Sequence, residues 1–201
     1  MSARIAPAKM AESPAPSNIN LPKRIPATIV GWMYPFELVW LYRTAIELKG
    51  LGVQGGALEV GSYKGLSASA LGQAGKLTCV DTFRGGEDLP SRYTRPEFDE
   101  AMRIMDLHPR VIEGTSTEVL GDLVQWRERF ALVFIDGSHR YEQVKIDLAL
   151  GWELLNAQGI LVADDYIGFP EVREACIETG YGFLPVDEQR SKMAFAQKGE
   201  T

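Results

Sequence analysis

Five short apolar runs rich in β-branched residues, each followed by a segment with helical spacing, constrain this chain more than any other feature. The runs are Ala57–Val60, Leu77–Asp81, Arg110–Glu113, Ala131–Asp136 and Gly159–Asp164. The helical segments are Leu66–Ala74, Arg95–Met105, Thr117–Val124, Tyr141–Leu155 and Pro170–Thr179. Strands that read as continuous apolar runs are buried on both faces, and helical crossovers between them allow parallel pairing. The result is an α/β fold, a mostly parallel sheet with helices on both faces. A further helix, Pro35–Lys49, precedes the first strand and stops before Gly50 and Gly52.

The end of the chain breaks this rhythm. Tyr181–Val186 and Lys192–Gln197 are strand-like, and the five residues between them are too few for a helical crossover. They predict an antiparallel pair, which completes a seven-stranded sheet with one reversed strand near the C-terminus. Residues 1–26 are rich in Ala, Pro and Ser without periodicity and read as a flexible N-terminal arm; residues 27–201 read as a single domain.

Bulk properties narrow the partners. A net charge of −6 disfavours nucleic acid, and no apolar run reaches the roughly 18 residues that would cross a bilayer. Cys79 and Cys176 sit in apolar surroundings without metal-like spacing, so two free buried thiols in a reducing cytoplasm are expected. The N-terminus lacks the apolar core of a secretory signal.

The first strand turns into its helix through Glu59-Val60-Gly61-Ser62-Tyr63-Lys64-Gly65-Leu66-Ser67, the place where open α/β sheets bind ligands. Gly61 and Gly65 allow a tight turn and close approach to backbone, while Ser62 and Ser67 offer hydroxyls. Asp81, at the end of the second strand, is placed to accept hydrogen bonds from two ribose hydroxyls. A nucleoside site follows. The dinucleotide spacing GxGxxG is absent, and the sequence resembles instead the E-x-G-x-x-x-G turn of class I S-adenosylmethionine (SAM)-dependent methyltransferases. That resemblance implies a Rossmann-like class I methyltransferase fold, with Glu59, Gly61, Ser62, Tyr63, Gly65, Ser67, Asp81 and Asp136 around the cofactor. Glu59 would suit its cationic end. Phe83 is a candidate to pack on adenine or ribose, or else an ordinary core residue, and Ser116 flanks the adenine or caps a helix. The polar, Gly-rich loop Arg84–Tyr93 is a candidate substrate lid.

Asp136 ends the fourth strand and Asp164-Asp165 the fifth. Neighbouring strands bring the three carboxylates to one edge, where their repulsion calls for a cation or a shared proton. Oxygen ligands favour a hard ion, Mg²⁺ first and then Ca²⁺ or Mn²⁺. Strand-end solvation and helix capping are the plainer reading of the same aspartates.

Phe134-Ile135-Asp136-Gly137-Ser138-His139-Arg140-Tyr141, then Asp147-Leu148, then Gly159-Ile160-Leu161-Val162-Ala163-Asp164-Asp165-Tyr166, resembles a family of small-molecule O-methyltransferases. That family includes macrolide-sugar methyltransferases and cephalosporin-biosynthesis proteins, and the similarity covers about Gly31 to Thr179. It implies a divalent metal, Mg²⁺ foremost, on Asp136, Asp164 and Asp165; His139 as general base with Asp136 beside it; and a hydroxyl of a sugar, glycoside or other diol-bearing metabolite as acceptor. Gln158-Gly159 replaces the family's usual glycine pair. A metal would lower the hydroxyl pKa and a histidine would take its proton, which turns a neutral alcohol into a competent nucleophile. Alternatively, His139 is a capping or core histidine at the start of the fourth helix.

Two other functions compete. A short-chain dehydrogenase would use Tyr141 and Lys145 at its YxxxK spacing, although these residues are one helical turn apart and more simply form a helix face. A non-catalytic SAM-binding subunit would keep the fold without turnover. The segment Ile25–Phe36 could complete a neighbour's site, so a homo-oligomer is also expected.

Overall fold

The computed structural model describes residues 13–14, 20–85 and 92–199. Its main sheet has seven strands: β1 Ala57–Val60, β2 Leu77–Asp81, β3 Arg110–Glu113, β4 Phe130–Ile135, β5 Leu155–Ala163, β6 Leu184–Pro185 and β7 Ala194–Gln197. Six α-helices accompany them: α1 Pro35–Gly50, α2 Leu66–Leu71, α3 Arg95–Met105, α4 Ser116–Gln125, α5 Tyr141–Leu154 and α6 Pro170–Glu178. The strand order is β3-β2-β1-β4-β5-β7-β6, with β7 antiparallel to both of its neighbours. This is the mostly parallel sheet with one reversed strand that the sequence predicts. The order reverses between β1 and β4, which opens a crevice at their carboxyl ends.

Alternation along the central strands fills a core on each face. Leu132 and Phe134 of β4 pack with Leu38, Leu41, Leu71, Phe98 and Met105, whereas Val133 and Ile135 pack with Leu120, Leu123, Leu148 and Val172. Side chains two apart share a face, so one uninterrupted apolar strand serves two helical layers.

Three strands start two residues or more away from expectation. β5 begins at Leu155, where α5 ends, and the β4–β5 register shifts between Phe130 and Leu132. Gln158 there has φ 64°, and a Cβ on Gly159 would come within 2.9 Å of the Ala131 carbonyl, so this bulge keeps its glycine. β6 shrinks to Leu184–Pro185 because the preceding chain packs on α5 instead, with Tyr181 stacked on Trp152 at 4.1 Å. β7 starts at Ala194 rather than Lys192.

Ahead of α1, Val30–Gly31 pairs antiparallel with Ser13–Pro14. Ile25, Ile29 and Met33 are buried in this chain's own core. None of the described helices is long and apolar enough to cross a membrane.

Candidate active site

The β1 turn is shaped by backbone crowding. Gly61 has φ 91°, and a Cβ there would lie 2.1 Å from the Asp136 carbonyl, so β1 and β4 close on each other at a position only glycine fits. Gly65, at φ 87°, forms the N-cap of α2. Between them Tyr63 holds φ 47° and donates its backbone N–H to Asp81 Oδ2 at 2.6 Å. The Phe83 N–H donates to Asp81 Oδ1 at 2.7 Å. Each carboxylate oxygen carries a second lone pair, so the partly exposed Asp81 is locked in orientation and keeps acceptor capacity for two ribose hydroxyls.

The expected cofactor residues fall into two tiers. Gly61, Tyr63, Asp81, Ser116 and Asp136 are partly exposed along the edge, while Glu59, Ser62, Gly65, Ser67 and Phe83 lie beneath it. Glu59 has no exposed surface and supports the turn from below: Oε2 accepts the Cys79 thiol at 3.4 Å, while Oε1 and the Ser62 hydroxyl have no hydrogen-bond partner among the described residues. Burial raises the Glu59 carboxyl to about 7, against the opposing pull of Ser67 and Cys79. Of the two readings of Phe83, its burial fits the core residue. Its ring is fully buried against Phe98 at 5.2 Å, and its backbone is what serves Asp81. Ser116 lies 3.0 Å from Gln143 Nε2, which also reaches Asp147 and so ties α4 to α5. The loop segment 86–91 lies outside the described residues, so the lid expectation rests on sequence.

Asp136, Asp164 and Asp165 converge as expected, with one carboxylate oxygen from each lying within 4.8 Å of the others. Sequence reasoning called for a cation or a shared proton among them; the chain supplies a cation itself. The ammonium of Lys192 donates to Asp164 Oδ2 and lies 3.2 Å from Asp165 Oδ1. Burial alone would lower the Lys192 pKa, but Asp164, Asp136, Asp165 and Glu37 together hold it well above its ordinary value. Burial, then Asp164 and Asp165, raises Asp136 well above the usual carboxylate range despite Lys192; burial raises Asp164 as well. This arrangement does not fit the expected divalent ion. Asp164 Oδ2 and Asp165 Oδ1 already face an ammonium and Asp165 Oδ2 faces His139, so a divalent ion on the three carboxylates would lie against the Lys192 charge and be repelled.

Lys192 and Glu37 were not identified from sequence. Glu37 is buried in the first turn of α1, where it accepts the Tyr34 N–H at 2.7 Å and the Lys192 N–H at 2.8 Å. Burial, reinforced by Asp164, raises its carboxyl to about 7. A signal for Lys192 was available, because a reversed strand beside β5 must begin where β5 ends. Ala194 indeed pairs with Ala163, which delivers the preceding lysine to Asp164.

His139 lies just ahead of Arg140, the N-cap of α5, so it does not cap that helix. Its Nε2 is 2.7 Å from Asp165 Oδ2, and its ring stacks on Phe169 at 3.8 Å and 17°. Burial pushes Asp165 up, but His139 and Lys192 more than offset this and leave it below its ordinary value. Tyr141 and Lys145 lie apart from this dyad: Lys145 Nζ donates to the Tyr141 hydroxyl at 2.7 Å and to Glu178 at 2.9 Å, a clasp between α5 and α6. His108 is exposed on the surface, and Cys79 and Cys176 are free and buried.

Residues 58–166 match the family described as "Methyltransferase domain", more than half of the chain. Comparison with curated proteins gives no match. Similar solved structures include the O-methyltransferase NovP, with 18% identity and a TM-score of 0.67 over 81% of this chain and 79% of that one. The O-methyltransferase TomG from Streptomyces achromogenes, in complex with SAM, shares 14% identity at a TM-score of 0.62, covering 84% of this chain and 82% of that one. An O-methyltransferase from Bacillus cereus in complex with SAH shares 14% identity at 0.62, covering 87% and 84%. At these identities the likeness is one of fold.

Proposed function

This chain belongs to the methyltransferase-domain family, and from that premise we propose that it is an O-methyltransferase using SAM to methylate a hydroxyl of a small molecule. A sugar, a glycoside or another diol-bearing metabolite is the acceptor class this reading favours. One observation carries it: the nucleoside turn and the proton-handling edge are a single structure, because Gly61 is packed against the Asp136 backbone that leads into His139.

Bound SAM supplies an electrophilic methyl carbon on a sulfonium. The protein's part is to hold and deprotonate. Asp81 orients the ribose through oxygens already fixed by the Tyr63 and Phe83 N–H groups. The unpartnered Ser62 hydroxyl and the close backbone at Gly61 suit a ligand lying along the turn. His139 takes the acceptor proton, and Asp165 stabilises the imidazolium that forms. Phe169 limits rotation of the ring.

The test is transfer of labelled methyl from SAM to a panel of glycosides, polyols and catechols. Labelled product supports the proposal. Tight binding of NAD(H) with none of SAM would favour the dehydrogenase, which the Tyr141–Lys145–Glu178 clasp already disfavours by engaging both of its key residues.

A further inference from the structure

We propose that Lys192 is this site's resident cation: its ammonium takes the place at the Asp136, Asp164 and Asp165 cluster that a divalent metal would otherwise take, so the site works without one. The inference deepens the methyl-transfer reading of the same edge and rests on it for its catalytic meaning. The juxtaposition itself stands on geometry alone.

Three observations carry it. First, the ammonium touches two of the cluster's three carboxylates, bonded to Asp164 and 3.2 Å from Asp165, with the Lys192 side chain 10% exposed and that of Asp164 1% exposed. Buried charges of opposite sign persist only as partners, and removing either strands the other.

Second, the backbone that presents Lys192 is fixed on both sides. Its N–H donates to Glu37 of α1 at 2.8 Å, and its carbonyl accepts the Ile167 N–H at 3.1 Å from the loop after Asp165. The neighbouring Ser191 hydroxyl donates to the same Glu37 oxygen at 3.1 Å, and the Met193 N–H donates to Ser191 Oγ at 3.0 Å. With Ser191 and Met193 both buried, the strand cannot draw the lysine away without breaking this set.

Third, the donors meet the cluster at its acceptors. Of the three N–H groups of an ammonium, Asp164 and Asp165 take two, with the Asp136 carboxylate on the same cluster. A divalent ion held by all three carboxylates would compete with the ammonium for those two residues.

Lys192 then acts as a positioning residue. By holding Asp165 from one side it fixes the carboxylate that aligns His139 on the other. It also neutralises charge that would otherwise repel a hydroxyl losing its proton.

The test reads metal binding, so it can fail independently of methyl transfer. Metal-free full chain is titrated with Mn²⁺ and followed by electron paramagnetic resonance, comparing wild type, Asp164→Asn, Lys192→Ala and Lys192→Met. The expected result is no wild-type site that Asp164→Asn removes. A new site at least tenfold tighter than any in wild type should appear in the lysine variants and disappear when Asp165→Asn is added. A wild-type Mn²⁺ site abolished by Asp164→Asn overturns the proposal, as does a folded lysine variant that gains none. Should neither lysine variant fold, the wild-type comparison decides alone.

Discussion

The His139 imidazole is held between Asp165 and Phe169, with Nε2 2.7 Å from the carboxylate and the ring stacked 3.8 Å from the phenyl centroid. Asp165 itself stands at φ 58° between β5 and α6, and it meets Lys192 through its other oxygen. One carboxylate therefore links an imidazole from the fourth strand's loop to an ammonium from the hairpin.

That link predicts how transfer fails. His139→Ala removes the base and lowers the methyl-transfer rate by about 10²- to 10⁴-fold. Asp165→Asn keeps the base but loosens its orientation, with a smaller loss, while the affinity for S-adenosylhomocysteine stays within about twofold of wild type in both. Calorimetry alongside single-turnover rates separates these effects, and full rate in His139→Ala would remove the base from the scheme.

Asp81 is the acceptor for two backbone N–H groups of the cofactor edge. Asp81→Ala frees both donors and deletes the ribose contact, so S-adenosylhomocysteine binding weakens by about tenfold or more, given roughly 1.5–3 kcal/mol for a hydrogen bond to a charged group. Isothermal titration checks this, and unchanged affinity would place the ribose elsewhere.

The two glycines of the turn differ in what surrounds them. Gly61→Ala would drive a Cβ to 2.1 Å from the Asp136 carbonyl at φ 91°, whereas at Gly65 the nearest atom is the mobile Met102 Cε at 3.0 Å. Urea unfolding should show a loss of about 3 kcal/mol or more for Gly61→Ala and about 1–2 kcal/mol for Gly65→Ala. Equal losses would contradict the crowding argument.

Glu59 holds its proton more tightly in the folded chain, with a carboxyl pKa raised by burial from 4.5 to about 7. Between those values the folded state binds more protons than the unfolded one, so stability falls as pH rises and levels off above the upper value. Glu59→Gln removes that contribution and flattens the profile, gaining up to about 3 kcal/mol over wild type at pH 8 and little at pH 4. Glu37, shifted to about 7 in the same direction, keeps a residual slope. Denaturant melts across pH 4–8 measure the difference, and parallel profiles would count against it.

The alternation of buried strands and helices determined the sheet, its reversed strand and the carboxyl edge on which Gly61, Asp81, Asp136 and His139 lie, because side-chain period and crossover length are local properties of a chain. The convergence of Asp136, Asp164 and Asp165 was legible for the same reason: parallel neighbours end together. What filled that cluster was not. Lys192 sits just ahead of a short reversed strand and is pinned by Glu37, 155 residues earlier in the chain. Burial of Phe83 and Glu59 was likewise settled only by packing, since a residue at or just past a strand's end faces ligand or core according to what lies over it. Spacing along a chain sets which edge a residue reaches; only tertiary packing sets which charges meet there, because those contacts join segments whose separation carries no periodic signal.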